Sequence, residues 1–119
     1  MASIQLALSD VAKASALSNL LARSTHVPVL CVEEPDFASA CVVVMDEPRF
    51  RKNPAAAQNS DRVVLITRND EGHLRAAWEA GVNTVLSEQD PLNTVVLAVL
   101  GACLRAGAAK QKPSDARPT

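Results

Sequence analysis

Ser9-Asp10, Asp46, Thr67 and Glu88 each follow an apolar run, and they are the residues of this chain best placed to do chemistry. Carboxylates gathered at strand ends can hold a divalent cation through hard oxygen ligands. A hydroxyl beside them can donate to a bound anion. Each has a plainer use as well: Asp46 can end a strand and cap or turn the next loop, and Thr67 can bond nearby backbone.

Other reactive side chains are scattered. His26 and His73 each stand alone, which reads as solvated histidine. Arg49, Arg51 and Lys52 surround Phe50; they read as a solvated loop, with an acidic partner or a phosphate as the alternative. Cys31, Cys41 and Cys103 lie far apart in apolar runs, where cysteine behaves as a small buried hydrophobe. No glycine-rich phosphate loop, Ser/His/Asp order or Cys/His pair is present, so neither an enzyme nor a zinc site is expected. Trp78, one helical turn after Leu74, is either an interface anchor or filler for a core gap.

Composition narrows the class. At 119 residues and 48 % hydrophobic, the chain can bury one core. A net charge of -1 gives no broad basic field for nucleic acid. With aromatics at 3 %, the core must be Val, Leu, Ile and Ala, which suits parallel strands covered by helices on both faces. No stretch is long enough to span a membrane and residues 1–10 lack a signal pattern, so a cytoplasmic protein is expected.

Periodicity supplies the elements that position the polar stops. Residues 4–8 read as a strand running into the cap Ser9-Asp10, and 11–23 as an amphipathic helix. Residues 27–32 and 41–45 read as strands buried on both faces. Residues 33–40 leave too little chain for a helix, and 47–61 allow one short helix around Ala55-Ala56-Ala57. Residues 62–67 are a fourth strand, then a helix capped by Asn69 or Asp70 runs through Ala80 to Gly81. Residues 82–87 are a fifth strand. Asp90 caps the last helix, with Pro91 at its first position. Strands alternating with helices imply an α/β three-layer sandwich with right-handed crossovers. Residues 1–106 are expected to form the domain and 107–119 a disordered tail or linker.

Taken together, Met45-Asp46, Leu65-Ile66-Thr67, Ala80-Gly81 and Glu88 to Pro91 resemble, in order and spacing, a response-regulator receiver domain. The resemblance implies a flavodoxin/CheY-like five-stranded parallel sheet with shortened middle helices. It places Asp46 as the phosphoacceptor, Asp10 in the acidic pocket and Thr67 as the switch hydroxyl. Two departures stand out: Ser9 replaces one acidic residue, and Glu88 stands where the family has lysine. Fewer negative groups weaken magnesium binding at Asp10 and Asp46, and a carboxylate beside a phosphoryl group repels it. Val85, at a position where the family often has a mobile aromatic, is stiff and ringless. The implied function is a degenerate bacterial receiver that works by contact, as a homodimer or with a protein partner, through a face that includes Leu74, Trp78 and Val85. The alternatives are a working phosphoreceiver using Asp46, and a small-molecule-binding regulator with its ligand at the strand ends.

Overall fold

The computed structural model describes residues 3–68, 70–82 and 84–111. Five strands, β1 (Ser3–Ala7), β2 (Val29–Cys31), β3 (Ala40–Asp46), β4 (Val63–Thr67) and β5 (Thr84–Ser87), form one parallel sheet in the order β2-β1-β3-β4-β5. The helices are α1 (Val11–Ser24), α2 (Glu47–Lys52), α3 (Pro54–Gln58), α4 (Glu71–Glu79) and α5 (Leu92–Gln111).

Alternation along the central strands divides the core in two. Ile4, Leu6, Val42, Val44, Val64 and Ile66 pack with Leu17 and Leu21 of α1 and Val95 and Val99 of α5. Val43, Met45, Val63 and Leu65 point the other way, onto Phe37, Ala56, Ala77 and Val82. Side chains on both faces of β3 are buried, which is why its sequence is an unbroken apolar run.

The β2–β3 crossover contains no helix, as its length led us to expect, and a buried glutamine organises it instead. Gln5 Oε1 accepts from the Asp36 amide at 2.8 Å, while Nε2 donates to the Asp36 carbonyl and Ser39 Oγ, both at 3.3 Å. From the far side, Arg62 donates to the Phe37 carbonyl at 2.6 Å. Phe37 thereby fills the space over the sheet that a helix would cover.

Several expectations need correction. β2 is a half-exposed edge strand, not a strand buried on both faces, because only β1 flanks it. Cys31 on that edge is exposed. Two short helices, α2 and α3, occupy the stretch where one was expected, each started by an Asx cap and a proline. The Asp90 carboxylate does not cap α5; it accepts from the Ser87 amide at 2.9 Å, and the Pro91 carbonyl takes the first helical bonds, from Thr94 and Val95. α5 also continues through Gly107 to Gln111, into the stretch expected to be tail, since the alanines and lysine there favour helix. The rest of that tail, 112–119, and the candidate cap Asn69 lie outside the described residues.

Cys41 and Cys103 are joined by a disulfide, with their Cα atoms 5.1 Å apart. A bulge makes this possible. Ser3 pairs with Ala40 and Ile4 with Val42, so Cys41 is the extra residue and turns to the same face as Val42, toward α5.

Gly81 closes α4 at φ 91°, and a Cβ there would sit 2.8 Å from Ser60 Oγ. Gly81→Ala is therefore expected to cost about 1–3 kcal/mol, read as a lower urea midpoint at unchanged slope.

Candidate functional site

The parallel register brings the strand ends level: Ala7 pairs with Met45, Asp46 with Ile66 and Thr67 with Ser87. Ser9, Asp46, Glu47 and Thr67 consequently gather at the carboxyl edge of the sheet. Asp46 Oδ2 accepts from the Ser9 amide at 2.6 Å. Its Oδ1 accepts from Ser9 Oγ at 3.2 Å and from the Arg49 amide at 3.3 Å, the last being the N-cap of α2. Both carboxylate oxygens are thus engaged by N–H and O–H donors.

Thr67 is 1 % exposed, and its hydroxyl donates to Glu47 Oε1 at 2.9 Å. Glu47 stands at the first position of α2, with its other oxygen held by Arg51 at 2.6 Å and His73 Nε2 lying 3.6 Å from Oε1. His73 in turn places Nδ1 2.7 Å from Asp70 Oδ2, and its amide donates to the Asp70 cap. The His73 amide and ring hold the Asp70 carboxyl below its ordinary value of 3.8. A chain of polar contacts therefore runs from β4 through α2 to the start of α4, hydrogen-bonded except across the 3.6 Å between Glu47 and His73. His73, expected to stand alone, is instead a half-buried member of it.

Asp10 and Glu88 are placed differently. The Asp10 carboxylate caps α1 by accepting from the Lys13 amide at 3.1 Å. The exposed Glu88 donates its amide to the Thr67 carbonyl at 2.9 Å, and its own carbonyl accepts from Lys13 Nζ at 3.1 Å. An ammonium thus does reach the β5–α5 turn, from α1 and not from the turn itself.

No family model and no curated protein matches the chain. Among solved structures it is similar to a response regulator receiver domain protein from Clostridium thermocellum, with a TM-score of 0.64 at 16 % identity, covering 92 % of this chain and 99 % of that one. It is also similar to the response regulator ChrA of a heme-sensing two-component system, with a TM-score of 0.54 at 19 % identity, covering 98 % and 70 %. The chain has the receiver-domain fold.

In that receiver fold, Asp46 and Thr67 stand at the ends of β3 and β4, where the resemblance set them. Both carboxylates that the resemblance assigns to magnesium are engaged by protein donors. Asp46 accepts from the amide and hydroxyl of Ser9, and Asp10 accepts from the Lys13 amide at the start of α1. Among the described residues no group of three or more His, Cys, Asp or Glu side chains is arranged to hold a metal.

Of the expected interface residues, Trp78 is 59 % exposed and lines an open groove on α4 with Leu74, Arg75, Asp70, Glu71 and Glu79. Val85 is not on that groove; it packs against the core beneath α4, because β5 turns it toward Val82 and Ala77. Sequence reasoning missed Glu47, the residue that accepts the Thr67 hydroxyl's hydrogen bond. Its position directly after Asp46 was the available signal.

Proposed function

We propose that this protein is a receiver-fold regulatory module of two-component signalling that acts by contact with a protein partner and without phosphorylation of Asp46. The observation that carries the reading is the engagement of both Asp46 oxygens by Ser9 and Arg49. An attacking carboxylate oxygen would first have to give up these bonds, each contributing about 0.5–1.5 kcal/mol net. The Thr67 hydroxyl that would hold a phosphoryl oxygen is committed to Glu47, and Glu88 adds a negative charge where phosphoryl transfer requires positive ones.

Intact-mass spectrometry after incubation with acetyl phosphate and magnesium is expected to show no phosphoryl adduct. Trp78 fluorescence is expected to stay flat through a magnesium titration, with or without beryllofluoride. A stable adduct, or a saturable magnesium response that disappears in Asp46→Asn, would make this a working phosphoreceiver.

The contact surface we assign is the α4 groove, where Trp78 offers a large amphipathic ring beside Leu74. Trp78→Ala should leave folding stability within about 0.5 kcal/mol of the parent, since the side chain is mostly exposed. It should weaken self-association or partner capture by about 2 kcal/mol or more, as loss of a tryptophan anchor does. Sedimentation at graded concentration reads the first and a partner-binding titration the second; unchanged values in both would remove the groove from the mechanism. Among the described residues, no helix is long and apolar enough to cross a membrane.

A further inference from the structure

The Cys41–Cys103 bond lies at the end of the sheet opposite Asp46, because Cys41 opens β3 and Asp46 closes it. Cys41 is 6 % exposed within the α1/α5 core, whereas Cys103 only packs against that core and is half-exposed. Among the described side chains after Val99, Leu100 and Ala102 pack only partly against the core. Gly101 and Ala102 have almost no side chain to bury, Leu104 is 75 % exposed, and Arg105 is exposed, its guanidinium donating to Thr84 Oγ1 at 3.0 Å. Segments with few buried apolar contacts open first. Among the described side chains of residues 100–105, the disulfide is thus the one covalent tie to the sheet, beside the partial packing of Leu100 and Ala102.

We propose that Cys41 and Cys103 form a reversible thiol–disulfide site that fastens and releases the C-terminal half of α5, with Cys103 as the sulfur through which exchange enters. In reduction, the thiolate of a low-molecular-weight thiol attacks Cys103 Sγ. The S–S bond breaks, and its electron pair goes to Cys41 Sγ, which takes up a proton. A second small thiolate then attacks the small-molecule sulfur of the mixed disulfide, forming the small disulfide and releasing Cys103 as a thiolate. One protein disulfide and two thiols thus become a protein dithiol and one small disulfide; the reverse reaction, with the small disulfide as oxidant, restores the bond. Cys103 is the entry point because an attacking thiolate must reach its target sulfur, and Cys41 is covered. After reduction the two thiols need van der Waals separation in place of a bond. A χ1 rotation of the less buried Cys103 supplies that separation where the Cα atoms are 5.1 Å apart, and the covalent restraint on α5 is gone.

The test uses the full chain carrying Cys31→Ser, which removes the exposed third thiol. The protein is equilibrated across ratios of reduced to oxidised glutathione, alkylated with iodoacetamide and weighed intact; backbone hydrogen exchange is followed in parallel at both extremes. The expected result is one reversible step, from no alkyl groups to two. Exchange in residues 101–111 should rise at least tenfold on reduction and outrun that of α1 and β3, which exchange only through global unfolding. Cys103→Ser in the same background should reproduce the raised exchange; if that variant does not fold, the reduced parent still supplies the comparison. A bond that never forms with oxidised glutathione, or that survives the most reducing ratio, overturns the proposal. So does exchange in residues 101–111 that is unchanged on reduction, or that stays no faster than in α1 and β3.

Discussion

Leu17→Ala is expected to lower folding stability by about 2–5 kcal/mol, a large part of the roughly 5–15 kcal/mol that holds a domain of this size folded. Leu17 is fully buried in the middle of α1, where it joins Leu21, Ile4, Leu6 and the α5 valines. Truncation forfeits the burial of its lost methyl groups and leaves a cavity. The walls of that cavity include the β-branched Ile4, Val95 and Val99, which have few rotamers with which to close it. Urea unfolding followed by circular dichroism measures the loss. A change below about 1 kcal/mol would mean that α1 does not pack on the sheet as described.

The second large effect concerns the covalent link. Cys41 and Cys103 are 62 residues apart, and closing a loop of that length removes about 4 kcal/mol of unfolded-chain entropy in the simplest model. Replacing both cysteines by alanine is expected to cost about 2–4 kcal/mol, because part of the unfolded-state gain is offset elsewhere. The domain should nonetheless remain folded, since its two apolar layers do not depend on the bond. Thermal unfolding of the double variant beside the oxidised parent checks this. Equal midpoints would show that the link leaves the unfolded ensemble unconstrained.

The sequence was most informative where a signal repeats locally. The runs ending at Asp46 and Thr67 are strands at those positions, and Asp10, Asp70 and Gly81 mark helix boundaries, because caps and apolar periods depend only on near neighbours. Contacts between distant residues were far less legible. Strict alternation from Val42 would place Cys41 on the face away from α5; only the bulge against Ser3 and Ile4 reverses this, and nothing in the residue types announces it. Gln5 fits an ordinary strand alternation, yet it is buried, and its partners Asp36 and Ser39 lie more than thirty residues on. Glu47 had a similar history: it reads as part of a polar turn until α4 brings His73 against it. At the candidate site, the positions of Asp46 and Thr67 were legible. Which hydrogen bonds they make was not, because those depend on the neighbours that folding supplies.

The helix-free crossover also bears on how this molecule behaves in a crowd. With only β1 beside it and no helix in the crossover to cover it, β2 is a half-exposed outer strand carrying Leu30 and Cys31, the kind of border onto which a second chain can add a strand of its own. Its defence is brevity. Val29–Cys31 offers an incoming strand very few peptide groups to grip, and Pro28, immediately before it, has no amide hydrogen to donate. Lengthening this strand while leaving it uncovered would favour edge-to-edge aggregation, whatever it did for the fold of the single chain.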